Sequence, residues 1–218
     1  MKKVKIVFQG DSITDAGRDR RNYHDVGPGY AKYATQHMIE AHPEIDFEFI
    51  NQGISGNRTS QLFDRFYHDA IAFKPDIISI LIGINDIWHR YSATNVATSD
   101  AQLELNYRSI LERIRRETNA KIMILSPFLF DDYVALGTRK EMANYVSMMR
   151  EDLNRATKMI KGLADEYADV YIPLQEHFKE ALAEHPEPLY FSHDGVHPND
   201  NGRAFIGKIY AEAIEKLL

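Results

Sequence analysis

Three residues of this chain have side chains that together could carry out acyl transfer: Ser12, Asp194 and His197. A serine hydroxyl becomes a useful nucleophile when a histidine takes its proton, and a carboxylate on the other imidazole nitrogen orients that histidine. Asp194 precedes His197 by three residues with Gly195 between them, so one tight turn could deliver both groups. We predict that Ser12 is a nucleophile and that Asp194 and His197 activate it.

The same chemistry requires hydrogen-bond donors for the negative charge that develops on the attacked carbonyl oxygen. Ser12 could offer its backbone N–H, Gly53 an unobstructed backbone N–H, and Asn85 its side-chain amide. We predict that these three donors form an oxyanion hole. Asp11, next to Ser12, is expected to bond backbone N–H groups and hold the turn rather than to react.

Ser12, Gly53 and Asn85 follow short apolar runs, which are typical of strands buried on both faces, and the segment with Asp194 and His197 precedes the last helical segment. The runs cover residues 4–8, 47–50, 76–82, 121–125 and 170–172. Segments with helical patterning cover residues 30–41, 59–73, 100–117, 138–167, 175–184 and 199–218. This alternation predicts a single α/β domain over residues 1–218, with one five-stranded parallel sheet and helices on both faces. In such sheets ligands bind beyond the carboxyl ends of the strands, where the candidates lie.

Four segments, in chain order, resemble those of the SGNH (GDSL) hydrolase family. They are Gly-Asp-Ser-Ile-Thr at 10–14, Asn-Gln-Gly-Ile-Ser-Gly at 51–56, Gly-Ile-Asn-Asp at 83–86 and Asp-Gly-Val-His-Pro at 194–198. The resemblance implies a flavodoxin-like three-layer αβα sandwich, hydrolysis of a carboxylic ester through an acyl-serine, and no metal or organic cofactor. The sequence has no Gly-x-Ser-x-Gly segment, which distinguishes it from the α/β-hydrolases.

A finer resemblance, through residues 51–57, 82–88 and 126–128, is to the intracellular acetylxylan esterases of that family. It implies that the substrate is a small-molecule ester, an acetylated oligosaccharide. Trp88, the only tryptophan, could stack on a sugar ring or wall off a short acyl pocket. We predict that Trp88 and Tyr190 contact the substrate.

The charge balance and the N-terminus exclude several other kinds of partner. The formal net charge of −6 argues against nucleic acid and against docking on anionic lipid, both of which need a basic face. The apolar run near the N-terminus is too short for a signal peptide, and no run is long enough to span a membrane. A cytoplasmic location is therefore expected. A homo-oligomer is compatible with the sequence, and no motif specifies one.

Three alternatives stay open at this point. His193 and His197, with nearby aspartates, could belong to a metal-dependent hydrolase, and the fold could serve as a carbohydrate-binding module without catalysis. Within the esterase hypothesis, the substrate could carry a longer acyl chain, as in lysophospholipases or thioesterases. Ser55 and Ser126 are rival nucleophiles on loops, and the sequence does not decide whether Arg58 and Arg65 contact a ligand.

Overall fold

The computed structural model describes residues 1–92 and 96–218, in which strands alternate with helices. The strands are β1 (Lys2–Gly10), β2 (Ile45–Asn51), β3 (Ile77–Leu81), β4 (Lys121–Leu125) and β5 (Val170–Ile172). The helices are α1 (Ser12–Asp15), α2 (Tyr30–Ala41), α3 (Thr59–Asp69), α4 (Ile84–Tyr91), α5 (Asp100–Glu117), α6 (Asp131–Leu136), α7 (Val146–Tyr167), α8 (Leu174–Glu184) and α9 (Asp200–Ile214). None of the helices in these two ranges is long and apolar enough to cross a membrane.

All five strands run parallel in one sheet, in the order β2-β1-β3-β4-β5. From β1 the chain steps first to one side, to β2, and then to the other side, to β3. Phe8 of β1 lies beside Asn51 of β2, and Gly10 lies beside Leu81 of β3. The loops that follow these three strands therefore meet at one edge of the sheet, at the reversal of strand order where α/β folds bind ligands.

The helices cover both faces of the sheet, because side chains alternate between the faces along each strand. On β1, Ile6 and Phe8 pack into one buried cluster with residues of α2 and α9, such as Tyr210. Val7 points to the opposite face and packs with residues of α3 and α5, such as Leu62. The result is a three-layer αβα sandwich, which confirms the predicted fold class.

The structure differs from the predicted helices mainly where helices are short. Helices α1, α4 and α6 were not predicted, because four to eight residues carry too little periodicity to be recognised. The predicted helix over 138–167 is interrupted: a 3-10 segment covers Lys140–Tyr145, and α7 begins at Val146. The last helix ends at Ile214, before the chain terminus.

Candidate active site

The loop after β1 and the loop before α9 bring Ser12, His197 and Asp194 into one hydrogen-bonded chain. Ser12 Oγ lies 2.9 Å from His197 Nε2, and His197 Nδ1 lies 2.7 Å from Asp194 Oδ2. Ser12 is the first residue of α1 and lies two residues after the end of β1, so its hydroxyl stands at the carboxyl edge of the sheet. With Nδ1–H donating to the carboxylate, Nε2 can accept the serine proton, so this geometry can activate the hydroxyl for attack.

The loop that carries Asp194 and His197 is held by its own hydrogen bonds. Asp194 Oδ1 accepts the backbone N–H groups of Val196 and His197 at 2.9 and 2.7 Å. Ser192 Oγ donates to the His197 carbonyl at 2.8 Å and accepts the Gly195 N–H at 3.0 Å. Gly195 has a φ of +87°, and a Cβ there would lie 2.3 Å from a neighbouring side chain, so the position requires glycine. The turn therefore fixes both side chains before a substrate arrives.

Asp194 and His197 shift each other's pKa in the directions expected of an ion pair. Burial raises the pKa of Asp194, but the hydrogen bond and charge of His197 and the backbone donors outweigh burial and hold it well below its ordinary value. The hydrogen bond to Asp194 raises the pKa of His197 above 6.5, although burial opposes that shift. His197 is therefore a stronger base than a free imidazole, and Asp194 stays charged beside it.

Asp11 holds the turn that presents Ser12, as predicted. Its Oδ1 accepts the Ile13 N–H at 3.0 Å and caps the N-terminus of α1. The side chain is buried, and burial raises the pKa of Asp11 to about 7 despite this hydrogen bond. The buried Asp11 side chain therefore has a structural role, because it stabilises the turn that carries Ser12.

The prediction that Gly53 donates to an oxyanion is wrong. The Gly53 N–H already donates to Asn51 Oδ1 at 2.9 Å, inside the protein. The Gly53 carbonyl accepts Arg18 Nη2 at 3.3 Å. A Cβ on Gly53 would lie 2.3 Å from the backbone nitrogen of Asp15, so glycine is needed here for the close approach of two backbones.

Gly56, which the sequence reasoning missed, lies where Gly53 was expected. It lines the same cavity as Ser12 and Asn85. Its φ of +81° places it in a tight turn that closes with the Asn57 N–H donating to the Ile54 carbonyl at 3.1 Å. Within residues 1–92 and 96–218, the Gly56 N–H has no hydrogen-bond acceptor. The segment Asn-Gln-Gly-Ile-Ser-Gly at 51–56 contains two glycines, and the sequence does not reveal which of their N–H groups faces the serine.

Ser12 and Asn85 retain donors that could serve an oxyanion. The Ser12 N–H is at the first position of α1, where a helix offers it no acceptor. Asn85, near the start of α4, donates one amide hydrogen to the Asn57 carbonyl at 3.1 Å, which orients the amide and leaves its other hydrogen for a ligand. Together with Gly56, these groups provide three donors around one cavity.

The cavity at the serine has a volume of about 420 Å³. It is lined by Ser12, Ser55, Gly56, Asn85, Trp88, His89, Ser92, Arg139, Asp194, Val196 and His197. Trp88 thus lies where it was predicted, on a wall of the cavity. His89 and Arg139 are lining residues that the sequence reasoning did not find, because neither belongs to a recognisable motif.

Tyr190 lies outside this cavity, so its predicted contact with the substrate is not supported. Its ring stacks on His185, with the ring centres 4.2 Å apart, and meets the edge of Phe191 at 4.8 Å. Its carbonyl accepts the side-chain amides of Asn199 and Asn201 at 3.0 and 3.1 Å. Tyr190 therefore anchors the start of α9.

The rival serines lack the geometry of Ser12. Ser55 Oγ donates to Asp15 Oδ2 at 2.7 Å, and Ser126 is fully buried beyond β4. Arg65 is a structural residue that spans the loops after β1 and β2, because its guanidinium donates to the carbonyls of Gly10 and Gln52 at 3.0 and 2.7 Å. It therefore holds in register the two loops that carry Ser12 and Gly56.

The metal-dependent alternative would need several ligands to converge near His193 and His197. His197 is occupied by Ser12 and Asp194, and the His193 side chain is exposed. Among the residues that the structure describes, no three histidine, aspartate or glutamate side chains are grouped so that they could hold a metal ion. The described residues therefore do not provide the group of metal ligands that a metal-dependent hydrolase would need.

Comparison with known proteins agrees with this site. The model of the GDSL-like lipase/acylhydrolase family matches residues 8–205. The chain belongs to this family. An acetylxylan esterase from Geobacillus stearothermophilus is 30% identical over 217 residues, which cover 96% of this chain and 93% of that enzyme. This hydrolase therefore shares nearly its whole length with a known esterase.

Solved structures also resemble this hydrolase over nearly the full chain. A protein described as a GDSL-like lipase from Parabacteroides merdae superposes with a TM-score of 0.88 at 32% identity, covering 99% of this chain and 97% of its own. The Geobacillus acetylxylan esterase superposes with a TM-score of 0.84 at 28% identity, covering 98% and 94%. In that esterase, alanine variants of a serine, an aspartate and a histidine are described as catalytic mutants.

Proposed function

We propose that this hydrolase removes short acyl groups, acetyl above all, from oligosaccharides through an acyl-serine intermediate. The observation that carries the proposal is the hydrogen-bonded chain Ser12–His197–Asp194, which opens into a cavity that also holds three oxyanion donors. The similarity to an acetylxylan esterase supports the choice of acetyl esters.

In the first half of the reaction, Ser12 Oγ attacks the ester carbonyl while His197 Nε2 accepts the hydroxyl proton. The N–H groups of Ser12 and Gly56 and the Asn85 amide hold the resulting oxyanion. Asp194 stabilises the imidazolium through the 2.7 Å hydrogen bond to Nδ1. His197 then gives its proton to the departing alcohol oxygen, the carbon–oxygen bond breaks, and the acyl group remains on Ser12.

In the second half, water replaces the alcohol. His197 takes a proton from the water as the water oxygen attacks the acyl carbon, and the same donors hold the second oxyanion. When this intermediate collapses, the bond to Ser12 Oγ breaks and His197 returns its proton to the serine. The carboxylic acid leaves, and the site is restored.

The lining of the cavity favours a small acyl group on a polar alcohol over a long acyl chain. Trp88 and Val196 are its apolar side chains, and serine, asparagine, histidine, arginine and aspartate side chains supply most of the rest. A long acyl chain gains affinity by burying methylene groups, at about 0.8 kcal/mol for each, and it needs apolar walls to do so. A saccharide instead needs an aromatic face and hydrogen-bonding groups, and both are present here.

The proposal is tested with p-nitrophenyl esters from acetate to decanoate, followed by acetylated xylo-oligosaccharides. We expect fastest cleavage of the acetate, release of acetate from the saccharide, and loss of turnover in Ser12→Ala. Ser126→Ala is the matched control, because Ser126 also follows a strand but contacts neither His197 nor the cavity. A preference for long chains would support the lysophospholipase or thioesterase alternative, and saccharide binding without ester turnover would support a binding module.

A further inference from the structure

Arg139 differs from the other arginines in how its charge is used. Most arginines bind a carboxylate oxygen at hydrogen-bonding distance, namely Arg20, Arg21, Arg65, Arg90, Arg108, Arg113, Arg115, Arg116, Arg150, Arg155 and Arg203. Arg18 and Arg58 donate to a carbonyl and to a hydroxyl. The guanidinium of Arg139 has no hydrogen bond to any residue that the structure describes, although it lines the cavity at Ser12.

The carboxylate nearest to Arg139, that of Asp194, has other hydrogen-bond partners. Arg139 Nε lies 3.8 Å from Asp194 Oδ2, beyond hydrogen-bonding distance. Asp194 Oδ2 is already bound to His197, and its Oδ1 accepts two backbone N–H groups. The donors of the guanidinium are therefore free for a ligand in the cavity, next to the histidine that must protonate the departing alcohol.

The backbone holds Arg139 at this place. Thr138, its neighbour, donates its N–H to the His193 carbonyl at 3.1 Å, and the Gly137 N–H donates to the Tyr133 carbonyl at 2.8 Å. A Cβ on Gly137 would lie 2.1 Å from the His193 carbonyl oxygen, so the two loops are in close contact. The loop of Arg139 is thus fastened to the loop of Asp194, and the position of the arginine beside the catalytic histidine is built into the fold.

We propose that Arg139 binds a carboxylate on the alcohol half of the ester, so that the preferred substrates are acetylated saccharides that carry a uronic acid. This inference rests on the proposed function. An acetyl group carries no negative charge, so a carboxylate that pairs with Arg139 must belong to the alcohol half of the ester. A guanidinium presents a planar fork that matches a carboxylate. A doubly charged phosphate group is less well matched, because Arg139 is the one cavity-lining arginine in the described part of the chain.

The test compares glucose, glucuronic acid and glucose 6-phosphate, each carrying one acetyl ester at the same ring position. These substrates differ only at C6, where they present a hydroxyl, a carboxylate or a phosphate. The measured quantity is kcat/KM for acetate release, expressed as a ratio to the glucose ester. This ratio cancels any general effect of a substitution on the catalytic groups, which matters because Arg139 lies close to Asp194.

We expect the wild type to prefer the uronate ester and Arg139→Gln to lower that preference about 10- to 100-fold, as for the loss of a hydrogen bond to a charged group. Lys140→Gln is the matched control, since it removes the same charge one residue away and outside the cavity, and it should leave the preference unchanged. An unchanged ratio in Arg139→Gln overturns the proposal. A larger Arg139-dependent preference for the phosphate ester overturns the choice of a carboxylate.

A failure of the proposed function would look different. If the wild type turns over neither p-nitrophenyl acetate nor any of the three esters, the acetylesterase proposal fails. Binding of free glucuronate and glucose, measured by calorimetry, then still tests the anion site. Tighter binding of glucuronate that is lost in Arg139→Gln supports the site, and equal binding of the two sugars overturns it.

Discussion

Replacing Asp194 with asparagine tests whether the carboxylate sets the orientation and tautomer of His197. Asp194 Oδ1 accepts the N–H groups of Val196 and His197 at 2.9 and 2.7 Å, and the amide oxygen of an asparagine can keep both bonds. The amide NH₂ then lies where Oδ2 now meets His197 Nδ1, at 2.7 Å. Because NH₂ can only donate, His197 has to carry its proton on Nε2, where it points at Ser12 and cannot act as the base.

The expected loss is large in turnover and small in stability. In another Ser-His-Asp enzyme the same substitution lowers kcat about 10⁴-fold through the wrong tautomer, and we expect a similar loss here. This corresponds to about 5.4 kcal/mol of transition-state stabilisation. The free energy of unfolding should fall by no more than about 2 kcal/mol, since the two backbone hydrogen bonds remain and one charge-assisted bond becomes neutral.

The assay is steady-state hydrolysis of p-nitrophenyl acetate at neutral pH, with thermal unfolding followed by circular dichroism. Asp64→Asn serves as the control, because it makes the same change of charge on an exposed residue of α3. A folded Asp194→Asn protein with kcat within tenfold of the wild type would refute the reasoning. A collapse of stability would refute the claim that the backbone hydrogen bonds survive.

The remaining predictions concern the oxyanion donors and the base. Gly56→Ala puts a side chain at a φ of +81° and shifts the donor N–H, so we expect kcat to fall at least about 10-fold and Tm to fall less than in Gly53→Ala. Gly53→Ala places a Cβ 2.3 Å from Asp15 N and should mainly lower Tm; a reversed pattern would contradict both assignments. Asn85→Ala should cost about 10²–10³ in kcat in a folded protein, and wild-type turnover would remove Asn85 from the mechanism. The hydrogen bond to Asp194 raises the pKa of His197 above 6.5, so kcat/KM should fall as the pH is lowered through a midpoint above 6.5; a midpoint below that value would show that the pairing does not operate.

Much of the fold was predictable because its signals are local. Strands β4 and β5 and helix α2 lie at the predicted residues, since a buried strand or a long amphipathic helix leaves a pattern within its own segment. Short elements leave no such pattern, which is why α4 was missed although it carries Asn85 and Trp88. The 3-10 segment before α7 was missed for a different reason: its residues continue the helical pattern of α7.

The amino-acid sequence by itself determined the five-stranded parallel sheet, the alternation of strands and helices, and the set Ser12, Asp194 and His197. Apolar runs and helical patterns are sufficient for the fold, and four segments in chain order are sufficient for the catalytic set. The tertiary structure decided which of two glycines faces the serine, since that depends on which backbone packs against Asp15. It also placed Tyr190 outside the cavity and Arg139 inside it. Those placements depend on contacts between segments far apart in the chain, and no pattern within either segment encodes them.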